Sequence, residues 1–165
     1  MHAYQLKGAN GLSSVSLTQR DRPVPAAGQV LIAMKAWSLN YRDLLIINDR
    51  YNGMRPNGTI PLSDGVGEII EVGPGCEGFR VGDRVTPTFS TRWASGVMKA
   101  SDPARFRGAL VDGVLAEYVT CDHQFIVHAP SHLSDVEAAC IPCAALTAWN
   151  ALFSGPRPLK RGETV

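Results

Sequence analysis

The sequence has few cysteines, no long apolar run and almost no net charge. Four cysteines in 165 residues are too few for a disulfide-rich scaffold, and such usage is typical of the reducing cytoplasm. The apolar stretches, such as residues 44–47, are far too short to cross a bilayer, and the N-terminus lacks the layout of a signal peptide. Sixteen Lys plus Arg oppose fifteen Asp plus Glu without a basic run. We therefore expect a soluble cytoplasmic domain, with neither a membrane nor a nucleic acid as partner.

Short strands and glycine turns dominate the first 130 residues. Hydrophobic residues make up 45% of the chain, enough for a packed core. Alternation predicts strands over residues 14–20 and 29–39, and the β-branched run at 66–72 predicts a strand covered on both faces. Gly65 and Gly67 within that pattern indicate a bulge or a close approach of another group. Many short strands joined by glycine turns favour a barrel or sandwich.

Helical signals are concentrated after Pro130. Ser134 and Glu137 form a capping box that begins a helix ending near residue 140. Pro142 suits the first turn of a second helix over residues 143–153. Residues 161–165 are typical of a turn that enters a new strand. Before this region, residues 43–48 predict one brief helix, and residues 93–110 predict a long loop with one helical turn.

Two motifs resemble well-known sites but lack their context. The glycines at 73, 75 and 78 match Gly-x-Gly-x-x-Gly, yet no helix follows them, so we interpret them as a β-turn and not as a phosphate site. Cys140 and Cys143 form a Cys-x-x-Cys pair, which is found in redox proteins and in zinc sites. The pair follows a helix instead of a strand, and no second pair accompanies it, so buried core cysteines are the favoured interpretation. A thiol redox pair is kept as an alternative.

A junction of polar residues lies between the predicted strand 29–39 and the helix that follows. It contains Asn40, Tyr41, Arg42 and Asp43. A purely structural interpretation is that Asn40 or Asp43 caps the short helix. Asp64, beside two glycines, has a similar alternative as a turn residue.

Six segments together resemble the GroES-like catalytic domain of the medium-chain dehydrogenase/reductase family. They occur in the family's order and spacing over essentially the whole chain. The segments are residues 25–32, 38–43, 61–73, 79–85, 113–118 and 145–149. The resemblance implies a mainly β fold with C-terminal helices: a partly open GroES-like β-barrel over residues 1–130, and linker helices over 131–165 that lead into a Rossmann domain absent from this chain.

The resemblance also implies a zinc-independent branch, similar to quinone oxidoreductases. Asn40 and Ser63 stand where zinc-containing members have Cys and His, and Cys143 stands at the third ligand position. Amide and hydroxyl groups bind zinc poorly, and the cysteines of a structural zinc lobe are absent between Cys76 and Cys121. We therefore expect no metal. The cofactor implied by the family is NAD or NADP.

By the same resemblance, several residues acquire roles in hydride transfer. Asn40 and Tyr41 would line the nicotinamide and substrate cleft as the catalytic pair, and Thr147 would bind the nicotinamide end of the cofactor. Asp43 and Asp64 would position these residues without contacting the substrate or cofactor themselves. Arg42 replaces the Ser/Thr proton relay of alcohol-oxidising members, and arginine cannot shuttle a proton. This departure favours reduction of a carbonyl, enone or quinone.

Three functions stay open on the sequence. The first is the catalytic portion of an NAD(P)(H)-dependent oxidoreductase, inactive as this 165-residue chain because its Rossmann half would follow Val165. The second is a non-enzymatic GroES-like binding or structural module. The third is a thiol redox protein. The first implies a small-molecule substrate, and a homodimer of the full-length protein is among the states that it allows.

Overall fold

Seven strands, three α-helices and three short helical turns make up the described part of the chain. The computed structural model describes residues 1–8, 10–51, 57–93, 95–97 and 105–165. The strands are β1 His2–Leu6, β2 Val15–Gln19, β3 Gln29–Ser38, β4 Asp64–Val72, β5 Arg84–Pro87, β6 Tyr118–Asp122 and β7 Ile126–His128. The α-helices are α1 Tyr41–Ile47, α2 Asp135–Ala139 and α3 Leu146–Phe153. The shorter turns are 3-10 turns at Gly11–Ser14 and His123–Phe125 and a π-helical turn at Ile141–Ala145.

The strands form a curled half-barrel and a hairpin. β6, β3, β4, β5 and β7 pair in that order as an antiparallel sheet. β1 and β2 form a separate antiparallel hairpin, which a bridge between Ala3 and Ala116 ties to the rest. Aliphatic side chains fill the space inside the sheet, since alternate residues of each strand face inward. The mainly β fold with C-terminal helices is thus confirmed.

β4 is covered on both faces, as its continuous apolar pattern predicts. Ile69 belongs to the core inside the barrel, whereas Val66 packs on the outer face against Ala138 and Ala139 of α2. α2 begins at the Ser134 capping box, where the Ser134 backbone N–H donates to Glu137 at 2.9 Å. The cap therefore sets the helix on the outer face of the sheet.

The glycines of β4 lie where the strand meets β3 too closely for a side chain. A Cβ at Gly65 would come within 2.6 Å of Met34 Cε, and a Cβ at Gly67 would overlap the Ala33 carbonyl. The pairing of β3 with β4 also shifts register between Met34 and Ala36. Both the predicted bulge and the predicted close approach are confirmed.

Several local predictions need correction. The segment after residue 140 does not begin as an α-helix, because Pro142 lies in a π-helical turn and α3 starts only at Leu146. Residues 161–162 form the predicted turn, but residues 163–165 pair with no described strand. α1 begins at Tyr41, two residues before the predicted start. Within the predicted loop at 93–110, residues 94 and 98–104 lie outside the described residues.

The prediction that Cys140 and Cys143 lie in the core is wrong, because Cys140 is exposed and Cys143 is half-buried. Of the other two cysteines, Cys121 is buried and Cys76 is half-buried. Cys140 follows the last residue of α2, and only Ala138 and Ala139 of that helix's end are packed on the sheet. Of the four cysteines, Cys121 is the one whose thiol is buried.

Gly67→Ala should lower the free energy of unfolding by about 1–3 kcal/mol, because the added methyl group must displace strand backbone. Urea denaturation measures the change. Gly155→Ala is the matched control, since nothing lies within 4 Å of its added Cβ. Equal stability of the two variants would contradict the close approach of β3 to β4.

Candidate functional site

The polar junction after β3 is built as a helix cap. Asn40 has an extended backbone and precedes α1. Its N–H donates to Asp43 Oδ2 at 2.8 Å, and the Asp43 N–H donates to the Asn40 carbonyl oxygen at 2.9 Å. The capping role expected as an alternative is therefore real. It does not exclude a role in binding, since the cap holds Asn40 half-buried beside the exposed Tyr41 at the start of α1.

Asp64 connects three segments of the chain. It is the first residue of β4 and is fully buried. Its Oδ1 accepts the Ser63 hydroxyl at 2.6 Å, and its Oδ2 accepts the backbone N–H of Cys143 at 2.9 Å. The Asn40 amide faces the same carboxyl and opposes the rise in its pKa, although Asn40 Nδ2 forms no hydrogen bond of good geometry with any described residue. Asp64 thus joins the cap of α1 and the start of β4 to the π-helical turn.

Arg42 is the cation of this site and is almost completely buried. Its Nη1 donates to the Arg107 carbonyl oxygen at 3.0 Å and lies 3.7 Å from Asp43 Oδ1. The guanidinium carbon lies 5.3 Å from the centre of the Tyr51 ring and 4.8 Å from that of the Phe89 ring. Stacking on aromatic faces suits the planar, weakly hydrated guanidinium.

The two buried carboxyls both have a raised pKa. Desolvation by burial is the largest cause for Asp43 and for Asp64. Hydrogen bonds from Asn40 to Asp43 and from Ser63 to Asp64 oppose it, as does the charge of Arg42. Burial therefore disfavours the charged form of each carboxyl, and these partners offset only part of that effect.

Cys143 and Thr147 continue the site along the helical segment. Burial raises the pKa of the Cys143 thiol, and the nearby Asp64 charge raises it further, while the Thr147 hydroxyl lowers it. A raised pKa disfavours the thiolate, which is the form that attacks disulfides and binds metals. Thr147 itself lies exposed at the second position of α3.

An apolar cavity of about 480 Å³ borders the same helix cap. Asn40, Tyr41 and Asp43 lie along its wall, and Leu62 and Leu115 line it from the barrel side. Its volume is in the range of small-molecule pockets.

The chain matches the family described as the Alcohol dehydrogenase GroES-like domain over residues 26–131. The chain belongs to this family. A Schizosaccharomyces pombe protein named as zinc-type alcohol dehydrogenase-like is 41% identical over 139 residues, which are 84% of this chain and 40% of that protein. A chloroplast envelope quinone oxidoreductase homolog of Arabidopsis thaliana is 32% identical over 99% of this chain and 45% of its own length.

Solved structures show the same likeness. A Sinorhizobium meliloti protein described as an alcohol dehydrogenase superimposes with a TM-score of 0.79 at 32% identity, covering 92% of this chain and 46% of that one. An NAD-dependent alcohol dehydrogenase gives a TM-score of 0.80 at 28% identity over 92% of this chain and 46% of its own. The GroES-like fold and the relation to alcohol dehydrogenase-like and quinone oxidoreductase-like oxidoreductases are thereby confirmed. The chain spans less than half the length of these relatives.

The GroES-like domain brings together most of the residues singled out in the sequence. Asn40, Asp43 and Asp64 lie in one hydrogen-bonded cluster, and Thr147 reaches it through Cys143. Tyr41 is 76% exposed and lies outside this cluster, on the rim of the apolar cavity. The central position of Asp64 was not evident from the sequence, because its partner Cys143 is 79 residues away along the chain.

The three positions that carry zinc ligands in zinc-containing members do not offer a zinc donor set here. The Ser63 hydroxyl is committed to Asp64, and the Asn40 amide also faces that carboxyl. Cys143 is the one thiol, and its pKa is raised. Among the described residues, no group of three or more His, Cys, Asp or Glu side chains is arranged to hold a metal ion. These donors do not fit zinc.

No helix in the described ranges combines the length and the apolar character needed to cross a membrane. The glycines at 73, 75 and 78 lie in the turn between β4 and β5, with no helix after them, so the interpretation of this motif as a β-turn is confirmed.

Asp64→Asn should flatten the pH dependence of stability. The folded-state pKa of Asp64 is raised, so its favourable contribution is complete below the pKa of the unfolded chain and is lost as pH rises through the folded-state pKa. Urea unfolding across about pH 4 to pH 8 should therefore show wild type losing stability relative to Asp64→Asn as pH rises. Asp21→Asn, at an exposed carboxyl, is the control. A difference that grows in the opposite direction would contradict the raised pKa.

Proposed function

We propose that the chain is the catalytic-domain portion of a zinc-independent NAD(P)(H)-dependent oxidoreductase acting on a carbonyl, enone or quinone. The observation that carries this proposal is the hydrogen-bonded cluster at the family's metal position. Asn40 and Ser63 point to Asp64 there, and the chain uses the Asp64 carboxyl to hold its own backbone at Cys143. Polarisation of a substrate oxygen then depends on hydrogen-bond donors of the protein.

The nicotinamide cofactor, when bound, supplies or accepts the hydride. The residues that would line its reactive end are Asn40, Tyr41 and Thr147. Tyr41 and Thr147 are exposed and Asn40 is half-buried, which supports contact with a bound molecule. Asp43 and Asp64 position these residues without contacting the cofactor. The protein's contribution is then to place the reactants correctly and to exclude water.

The proposed domain division is a GroES-like domain over residues 1–130 and linker helices over 131–165. The apolar face of α3 supports it, since Leu146, Trp149 and Phe153 are all exposed. Such a face suits coverage by a nucleotide-binding domain, and we expect no hydride transfer without one. A cytoplasmic location and a homodimer of the longer protein belong to the same proposal.

A second candidate is a non-enzymatic GroES-like binding module. Intact mass spectrometry of the protein purified from its source separates the two. The binding module predicts a mass near 17.8 kDa. The oxidoreductase predicts roughly twice that mass, as two domains of ~150 residues would have.

The oxidoreductase should consume NADPH or NADH with 2-cyclohexen-1-one or 1,4-benzoquinone in the protein as its source produces it. Absorbance at the reduced nicotinamide band follows the reaction. Treatment with a chelator should leave the rate unchanged, because the donor set does not fit zinc.

Cys140→Ser is the matched control for thiol chemistry. The oxidoreductase proposal expects no change in rate, because Cys140 is exposed and its thiol donates to the carbonyl oxygen of Val136 in its own helical segment. Loss of activity in this variant would favour the thiol redox alternative, and stoichiometric zinc in the purified protein would overturn the zinc-independent assignment.

A further inference from the structure

The guanidinium of Arg42 has a hydrogen-bonded donor on one side, whereas the donors on its other side have no acceptor among the described residues. Nη1 bonds the Arg107 carbonyl oxygen. Nε and Nη2 are buried and have no hydrogen-bond partner among the described residues. The side chain is only 8% exposed, so these donors lie away from bulk solvent. A buried donor without an acceptor costs free energy, and two on one arginine indicate that an acceptor is missing.

The unsatisfied donors form the edge of the guanidinium that recognises oxygen acceptors. Nε–H and Nη2–H project in parallel, which matches a single oxygen held by both or a pair of oxygens. Asn40 Nδ2, which faces the Asp64 carboxyl, is a further buried donor without a well-formed hydrogen bond among the described residues, and Asp43 Oδ1 is a buried acceptor without one there. Unsatisfied donors thus outnumber unsatisfied acceptors, and the missing group is rich in acceptors.

The charges around Arg42 allow a further partial negative charge. Asp43 and Asp64 face it, and Cys143 lies within its electrostatic reach. Burial raises the pKa of both carboxyls and of the thiol, so these three groups resist carrying charge. The guanidinium stays charged at every relevant pH. Tyr51 and Phe89, which flank it, are both only half-buried and are the side chains that would shift to admit a ligand.

We propose that the Nε–Nη2 edge of Arg42 binds the carbonyl oxygen of the substrate and stabilises the negative charge that develops on it. The inference rests on the proposed oxidoreductase function and assigns the group that polarises the substrate there. Arg42 is then a catalytic residue in the place where alcohol-oxidising relatives use a hydroxyl relay.

This role favours conjugated substrates over saturated ketones. A bound nicotinamide cofactor would supply a hydride to the β-carbon of an enone. The C=C electron pair would then shift toward the carbonyl carbon, and the carbonyl π pair would pass to oxygen, giving an enolate held by Arg42. Water would give a proton to the α-carbon and leave as hydroxide, and the C=O bond would form again in the saturated product. No step needs a proton on oxygen. Reduction of a saturated ketone does need one, and Arg42 cannot give it.

Binding of 4-nitrophenol to the 165-residue chain tests whether the Nε–Nη2 edge of Arg42 binds an oxygen anion, without the need for hydride transfer. The phenolate resembles an enolate in placing negative charge on a conjugated oxygen, and its absorbance differs from that of the phenol. We expect the bound form to be the phenolate at a pH where free 4-nitrophenol is mostly protonated. Arg42→Met should weaken phenolate binding by about tenfold to a hundredfold, the usual effect of removing a charged hydrogen bond, and Arg42→Lys by less. Nitrobenzene, which lacks the oxygen, is the matched ligand and should bind wild type and Arg42→Met alike.

Each outcome decides the proposal. The proposal is overturned if 4-nitrophenol does not bind, or if its bound form stays protonated. It is also overturned if wild type and Arg42→Met bind the phenolate equally, or if Arg42→Met loses affinity for nitrobenzene as well. Circular dichroism checks that Arg42→Met folds. If that variant does not fold, Arg42→Lys takes its place. Weaker phenolate binding by Arg42→Lys with unchanged nitrobenzene affinity then supports the proposal, and unchanged phenolate binding overturns the proposal.

Kinetics in the longer protein separate this inference from the proposed function. Arg42→Met should lower kcat for 2-cyclohexen-1-one by about a hundredfold, as loss of an oxyanion donor does. Hydride transfer that survives unchanged in Arg42→Met would reject the role of Arg42 and keep the oxidoreductase. Phenolate binding without any hydride transfer would keep the oxygen subsite and reject the oxidoreductase.

Discussion

The hydrogen bond from the backbone N–H of Cys143 to the buried carboxyl of Asp64 holds the site of this protein together. It fastens the helical segment to the first residue of β4, across 79 residues of sequence. It acts together with the packing of Ile141 on the outer face of the sheet to position the π-helical turn and Thr147. A carboxyl buried this deeply is unfavourable alone, so the Ser63 hydroxyl and the charge of Arg42 are needed with it.

The buried charges form one interdependent group. Arg42 lies near both Asp43 and Asp64, while the aromatic rings of Tyr51 and Phe89 keep water from its guanidinium. Such a group contributes little net stability compared with apolar packing, but removing one member leaves an uncompensated charge. The proposed function uses this group as the source of hydrogen-bond donors at the family's metal position.

Much of the fold was predictable because its signals are local. The alternation in β3, the glycine turns around β4 and the capping box at Ser134 each depend on neighbouring residues, and the structure confirms them. The π-helical turn at Ile141–Ala145 was not predictable, since it arises where the chain must meet Asp64 while accommodating Pro142. Likewise, the exposure of Cys140 depends on which side of α2 the sheet covers, which no local pattern records.

For the site, the sequence by itself determined the residue types: Asn40, Arg42 and Asp43 at the junction after β3, and no complete set of zinc ligands at the family's positions. Those facts follow from order and spacing. Only the tertiary structure decided that Asp64 is the common acceptor, and that one edge of Arg42 is buried without a hydrogen-bond partner in the described part of the chain. Hydrogen bonds and desolvation depend on distances between segments that are far apart in the chain, and these distances exist only once the barrel has closed around its core.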